Sequence, residues 1–295
     1  MNVCLPQPGR YLVAVSGGLD SVCLLDILAA PKKYDLVVAH FDHGIREDSY
    51  IDHDLVASLA DSYGLKFISA KGELGNSTSE AVAREARYDF LFRAKRQFAV
   101  DAVITAHHLD DRLETLIINL IRGTGRKGLA SIGQSSGLIR PLLKVTRSEL
   151  KDYGFARKLV WRDDPSNKDE KYLRNYIRMN VLPRLSPKDK NNLTKLMDRQ
   201  AEINAQIDQL ISGLLNREDI KKLSLSTLKS LPFNASKELV ATWLRDNNLI
   251  NFNRKTIERV VIAAKTQRPG RQINVYGKAR INVEKTNLAL VNLER

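Results

Sequence analysis

The sequence predicts an α/β protein: a doubly wound parallel sheet followed by a smaller, mainly helical C-terminal domain. Three observations carry that expectation. Over the first 110 residues, short apolar runs alternate strictly with segments of helical spacing, the pattern of a parallel sheet with helices on both faces. Two glycines, Gly17 and Gly18, sit at the first strand-to-helix join. After about residue 145 the alternation stops and the chain turns polar, basic and helix-prone.

Each element has a local reason. Tyr11–Val15 reads as a strand, and Asp20–Ala30 as a helix stopped by Pro31. Leu36–Phe41 is a second strand, and Ile51–Tyr63 a helix ended by Gly64, which can take the left-handed conformation of a C-terminal stop. Leu65–Ser69 is a third strand. Ser77 and Glu80 form a capping-box pattern that opens a long helix, Glu80–Gln97. Ala102–Ala106 is a fourth strand and Asp110–Ile121 a helix whose Leu113, Leu116, Ile117, Leu120 and Ile121 form one apolar stripe, expected to pack on the sheet. Thr146 and Glu149 cap a helix over Arg147–Tyr153. DDPSNKDEKY (163–172) reads as a loop, Tyr172–Val181 as a helix stopping before Pro183, and Gln272–Tyr276 and Leu288–Asn292 as strands. The expected organisation is 1–188 as nucleotide-binding domain, 189–216 as helical connector and 217–295 as C-terminal domain.

The chain has 295 residues, enough for a sizeable core and for two domains or one large one. No apolar run approaches the roughly 20 residues a membrane span needs, and the N-terminus lacks a secretory pattern. Cys4 and Cys23 form no metal or redox spacing; Cys23 is expected as a buried hydrophobe in a reducing, cytoplasmic protein. Charge is split: residues 1–120 carry a net −5 and residues 121–295 a net +18. A basic back half suits a polyanion, nucleic acid above all.

Ser16-Gly17-Gly18-Leu19-Asp20-Ser21 is the first chemical signal. A strand, a tight glycine turn and a helix start collect unpaired N–H groups where phosphate can sit. Ser16 and Ser21 add hydroxyls. Asp20 would repel a phosphate unless a cation lies between, which points to Mg²⁺. No GxxxxGK[ST] loop is present. Gly123–Gly128 matches GxGxxG, but it follows a helix instead of a strand, so the dinucleotide reading fails and a flexible basic loop is expected. The second signal is His107-His108-Leu109-Asp110-Asp111, with Glu114 one turn on. These acids read as helix-capping groups or as a carboxylate cluster for Mg²⁺ or an amine. The histidines have no third ligand at zinc spacing.

SGGLDS in this context resembles the signature of the PP-loop ATP pyrophosphatases. HFDHGIREDS, SEAVAREARYDF, HHLDDRLETLIINLIRGTGRKGLASI, RPLLKVTRSEL and WRDDPSNKDEKYLRNYIRMNVLPRL, collinear from about residue 10 to 185, resemble the successive motifs of the tRNA(Ile)-lysidine synthase family, in its short form. The last 80 or so residues resemble that family only loosely. The resemblance implies a ligase that adenylates C2 of the wobble cytidine of a CAU-anticodon isoleucine tRNA with ATP and joins free L-lysine there, releasing AMP and pyrophosphate. It implies ATP on Ser16, Gly17, Gly18, Leu19, Asp20, Ser21, His43 and Arg46; Mg²⁺ on Asp20 and Asp111; and chemistry by Asp20, Arg84, Arg87, Asp110, Asp111, Glu114 and Arg178. Arg174 and Asn175, with Arg178, would face ATP phosphates or the anticodon backbone. Arg126, Lys127, Arg268, Arg271 and Arg280 are candidate tRNA contacts. No membrane partner is expected, and a homodimer is compatible. The rivals are a tRNA thiolase of the same superfamily, which the missing cysteine pair disfavours, an amidotransferase-like synthetase, which would not need the basic back half, and a non-catalytic RNA-binding module.

Overall fold

The computed structural model describes residues 1–44, 48–72, 80–133, 135–162, 172–215, 219–249, 252–266, 268–276 and 279–292. Arg46, the Ser77 cap and the 163–171 part of the expected loop lie outside them. The chain divides into two compact units, Met1–Ala201 and Glu202–Arg295.

The first unit runs β1 (Arg10–Ala14), α1 (Leu19–Ala29), β2 (Asp35–Asp42), α2 (Ser49–Ser62), β3 (Lys66–Lys71), α3 (Glu80–Gln97), β4 (Ala102–Ile104), α4 (Leu109–Ile121), α5 (Arg126–Leu129), β5 (Leu138–Ile139), α6 (Arg147–Ala156) and α7 (Leu173–Tyr176). A π-helical turn, Ile177–Val181, and a 3₁₀ turn, Leu182–Arg184, lead into the long helix α8 (Pro187–Ser212), which runs on into the second unit. The five strands lie in the order β3-β2-β1-β4-β5, all parallel. The short helix α5 begins within the Gly123–Gly128 run that was expected as a loop, taking up its last three residues.

Strand alternation sends side chains to two separate cores. Tyr11, Val13, Leu36, Val38, Ala102 and Ile104 join α1, Val56 and Ala60 of α2, and Leu150 of α6 on one face. Leu12, Val37, Ala39 and Val103 meet Phe90, Leu91 and Ala94 of α3 on the other. Burial on both faces explains why these strands read as continuous apolar runs. Replacing any of these fully buried leucines with alanine is expected to cost about 2–5 kcal/mol.

The α4 stripe differs from expectation. Leu109, Leu113, Leu116 and Ile118 pack with Ile177, Leu182 and Met197, away from the sheet cores, and Leu120 and Ile121 are exposed. Amphipathicity marks a face to be covered but does not say what covers it. Here the partner is other helices.

Among its described residues, the second unit pairs four antiparallel strands in the order β6-β9-β8-β7 with the end of α8 and the helices α9, α10 and α11. They are β6 (Lys222–Ser224), α9 (Leu225–Ser230), α10 (Phe233–Asp246), α11 (Arg254–Thr266), β7 (Gln272–Tyr276), β8 (Ala279–Val283) and β9 (Asn287–Asn292). Helix predominates, as expected, but the two anticipated strands belong to a full sheet. Leu239, Trp243, Val260, Ile281 and Leu288 form its core.

α1 and α6 are locked by a buried carboxylate. Asp26 accepts hydrogen bonds from the Tyr63 and Tyr153 hydroxyls, both at 2.5 Å, and from Arg157 Nε and Nη2, both at 3.1 Å. Nearby, Cys23 is fully buried and its thiol meets the Leu150 carbonyl at 3.3 Å; burial pushes the thiol pKa up to about 12, an inert state. Burial alone would raise the Asp26 pKa, but Arg157 and then the two phenols outweigh it and hold the carboxyl below its ordinary value. A group depressed on folding stabilises above its unfolded pKa, near 3.9, and that contribution fades as pH falls through the folded value. Asp26→Asn should therefore lower the urea midpoint at pH 7, by the equivalent of roughly 2–4 kcal/mol. The gap between variant and wild type should narrow below about pH 4. A pH-independent gap would remove the charge from the explanation.

Candidate active site at the strand-order reversal

β1 has β2 on one side and β4 on the other, in the register Tyr11↔Ala102, Leu12↔Val103, Val13↔Ile104. The chain leaves β1 toward β2 and β3, then returns to β4 on the opposite flank. In open α/β sheets, ligands lie beyond the strand C-termini at such a reversal. The segments leaving β1 and β4 there are the two chemical signals read in the sequence.

After β1 the backbone turns at Gly17, φ +89°, a region glycine enters at little cost; a Cβ here would also lie 3.5 Å from the Asp52 Cβ. Gly18 caps α1 without a side-chain hydrogen bond. Ser21 folds back: its hydroxyl donates to the Gly18 carbonyl at 2.9 Å, accepts the Ser16 amide at 3.1 Å and lies 3.1 Å from the Ser16 hydroxyl. Leu19 is buried in the core, so only its backbone faces the turn. Arg162 straps the loop, donating its amide to the Gly17 carbonyl at 3.0 Å and its guanidinium to Asp48 and Asp52 of the α2 start. His43, after β2, is half-buried against the Phe41 ring, 5.1 Å between centroids.

After β4 the pivotal residue is His108, 2% exposed. It caps α4: its Nδ1 lies 3.4 Å from the Asp111 amide, while Asp111 Oδ2 accepts the His108 amide at 3.0 Å. Its Nε2 lies 3.5 Å from carboxylate oxygens of both Asp20 and Asp111. Burial favours the neutral ring, but Asp111 and then Asp20 outweigh it and push the imidazole up to about 9. The long Nδ1 contact is the one that yields, since an imidazolium has no acceptor there. His107 behaves oppositely. Burial, with Arg140, Arg84 and Arg87, holds it down to about 4 against the pull of Asp111, and its Nδ1 meets the Thr105 hydroxyl at 2.9 Å. Two adjacent histidines thus carry different charge at neutral pH.

The carboxylates divide by environment. Glu114 is fully buried and takes Arg178 in a fork, Nε at 2.6 Å and Nη2 at 3.0 Å, with Arg174 Nε at 3.8 Å. Burial pushes its carboxyl up, and Arg178 opposes the shift. Asp110 is saturated by the Arg147 amide at 2.7 Å and Lys190 Nζ at 2.8 Å. Asp111 and Asp20 keep open surface, 21% and 30% of their side chains. Asp20 is desolvated, yet His108, and then Arg147 and Arg178, hold its pKa below the ordinary value. Its Oδ1 is buried and accepts no hydrogen bond. Beside this cluster lies a cavity of about 210 Å³ lined by Asp110, Arg147, Ser148, Arg178, Leu182, Pro183 and Lys190.

Of the candidates, Asp20, Asp110, Asp111, Glu114, Arg174 and Arg178 converge, and Asn175 is buried beside Arg174. Arg84 and Arg87 reach the site through their field at His107. Arg126 and Lys127 follow the far end of α4, which lies about 10–16 Å along the helix from the acids. The GxGxxG run indeed follows a helix. Arg268, Arg271 and Arg280 are exposed on the second unit. His108, Arg147, Arg162 and Lys190 were not anticipated. His108 and Asp111 stand at capping-box spacing, but with His and Asp in place of the usual Ser or Thr and Glu or Gln, so the signal in the sequence is weak; the other three act on partners far away in sequence.

A protein-family model described as a PP-loop domain matches residues 4–185. The tRNA(Ile)-lysidine synthase of Thermus thermophilus is 40% identical over 201 residues, 65% of this chain and 39% of that protein. Those of Legionella pneumophila and Geobacter sulfurreducens are 34% and 38% identical, covering 87% and 72% of this chain and 62% and 48% of theirs. The chain therefore spans between 39% and 62% of the length of these relatives. The U34-tRNA thiolase NcsA of Methanococcus maripaludis, a 4Fe-4S protein, shares the fold with a TM-score of 0.58 at 19% identity, covering 67% of this chain and 74% of that one.

The Glu114–Arg178 pair gives a direct test. Arg178→Ala leaves a buried carboxylate unpaired and should cost about 3–5 kcal/mol in urea unfolding. Arg178→Lys should recover little, because an ammonium cannot reproduce the fork. The double variant Glu114→Gln/Arg178→Ala should be more stable than Arg178→Ala alone, and strict additivity of the two changes would refute the pairing.

Proposed function

The chain belongs to the PP-loop family, and from that premise we propose that it is an ATP-consuming ligase acting on the wobble cytidine of a CAU-anticodon isoleucine tRNA. The observation that supports this most is the convergence of the glycine turn after β1 and the His108–Asp111 segment after β4 on Asp20. The curated relatives are named for this activity.

In this reading the amides and hydroxyls of residues 16–21 cradle ATP phosphates at the positive end of α1, and His43 and Arg46 complete the nucleotide site. The cytidine C2 oxygen attacks the α-phosphorus, and pyrophosphate leaves. The uncharged ε-amine of L-lysine then attacks C2 and AMP departs with that oxygen, while the amine proton passes to a carboxylate. Asp111 and Asp20 suit that proton or the lysine ammonium best, because they keep open surface, although Arg178 also reaches Asp111 Oδ1 at 3.3 Å, whereas Asp110 and Glu114 are buried against Lys190 and Arg178. Arg84, Arg87 and Arg178 add positive potential where charge develops on phosphate.

Mg²⁺ fits the same place. Asp20 Oδ1 is a hard oxygen donor without a hydrogen bond. Mg²⁺ is commonly held by one or two carboxylates together with substrate phosphates. Asp20, with Asp111, would hold it and offset the repulsion between carboxylate and phosphate.

Arg174 and Asn175 would meet ATP phosphates or the anticodon backbone. Arg126, Lys127, Arg268, Arg271 and Arg280 would hold tRNA phosphates, a role that needs charge more than sequence-specific contacts. No helix among the described residues is long and apolar enough to cross a membrane.

One incubation tests the chemistry: protein, ATP, Mg²⁺, lysine and unmodified tRNA, read by chromatography of AMP and by mass spectrometry of the tRNA nucleosides. A lysine adduct of cytidine that needs both ATP and lysine is expected. AMP without adduct would redirect the substrate, and no AMP would favour a binding module. Asp20→Ala should abolish ATP cleavage while the protein still binds tRNA; unchanged turnover would remove Asp20 from the chemistry. Converting Arg268, Arg271 and Arg280 to alanine should weaken tRNA binding and flatten its salt dependence.

A further inference from the structure

We propose that the outer face of α3 is a track for the sugar-phosphate backbone of the substrate RNA, leading from the catalytic end of the sheet to a cationic groove at the far end of the helix. The proposal rests on the RNA-modifying reading above and concerns where the RNA runs once it leaves the site.

Arg84, Tyr88, Phe92 and Arg96 follow one another at i, i+4 spacing, which places them in a row along one side of the helix. Tyr88 and Phe92 stack, with centroids 6.2 Å apart and planes at 29°. The Arg84 and Arg87 guanidinium carbons lie 4.8 and 5.5 Å from the Tyr88 centroid. The row starts at the active-site end, where Arg84 and Arg87 bear on His107. It ends in a groove of about 330 Å³ lined by Asp89, Phe92, Arg93 and Arg96. From Arg84 to Arg96 is about 18 Å of helix, the axial length of roughly five nucleotides of a duplex strand.

The groove is unexplained by the fold. Arg93 and Arg96 are exposed, and neither guanidinium has an ion-pair partner among the described residues. Most arginines near the catalytic cluster are spent on carboxylates, as with Arg162 and Arg178. Two free forks one turn apart, beside a half-buried ring, match a phosphodiester strand: the forks take phosphate oxygens, and the ring offers an apolar floor to sugar or base. Asp89 is the opposing charge in the groove. It sets a prediction of the opposite sign, which a general loss of stability would not mimic.

The test measures binding of unmodified CAU-anticodon tRNA to the full chain across a salt series. Arg93→Ala/Arg96→Ala should weaken binding and make the log K against log salt slope shallower by about 1.5, the loss of two phosphate contacts. Asp89→Asn should tighten binding. Wild-type affinity and slope in the double variant would overturn the proposal, as would loss of affinity with an unaltered slope. An acidic peptide that binds the groove and does not compete with tRNA would also overturn it. If wild-type protein binds tRNA and makes no lysine adduct while the double variant still flattens the slope, the catalytic reading fails and the track stands.

Discussion

Everything at the candidate site depends on one backbone contact, the pairing of β1 with β4. These strands are separated by about 90 residues, yet their three-residue register places the ends of both strands side by side. The pairing is held by burial on both sheet faces, with Leu12 and Val103 on one side and Val13 and Ile104 on the other. A slip of one residue would exchange those faces and break the two cores together. The register that satisfies the core also brings Asp20 to His108.

The electrostatics build on that placement. Asp20 and Asp111 would repel one another in a desolvated crevice, and His108, wedged within 3.5 Å of both, offsets the repulsion. Arg147 belongs to the same arrangement. Its amide holds Asp110 and its side chain lies 4.0 Å from Asp20, so the starts of α1, α4 and α6 are tied at one point. Those helix ends direct partial positive charge toward the crevice, which is the environment an anionic ligand needs. The Asp26 network fixes the other end of the α1–α6 pair, so the two helices are held both at the crevice and away from it.

Much of this was legible in the sequence. Strand and helix boundaries in the first 110 residues fall within about two residues of expectation, because the runs of β1, β2 and β4 are buried on both faces and stop residues such as Pro31 and Gly64 end the helices. The two-residue strand β5 left no trace, since two residues have no period. The α4 stripe was visible and its partner was not, so Leu120 and Ile121 were assigned to a sheet they do not touch. In the site, SGGLDS and the acidic run stood out because glycines, hydroxyls and acids cluster locally. Arg147, Arg162 and Lys190 did not, because an arginine or lysine in a basic chain is unremarkable until its partner is known. His108 was hidden for a different reason: a histidine beside a second histidine reads first as a metal ligand, and its capping role depends on the fold of α4.

The π-helical turn at Ile177–Val181 has its own consequence. Such a turn holds one residue more than the α-helix it interrupts, and it sits where Arg178 reaches Glu114. The turn absorbs its extra residue locally, so losing that residue would let the segment close into ordinary α-helix, whereas a length change the turn cannot absorb would rotate everything downstream by about 100° per residue. Lys190, which completes Asp110 from the start of α8, would then point elsewhere. The segment between α7 and α8 is thus a length gauge: substitution and loss of the one extra residue can be absorbed there, and a larger change in length would dismantle the carboxylate cluster from a distance.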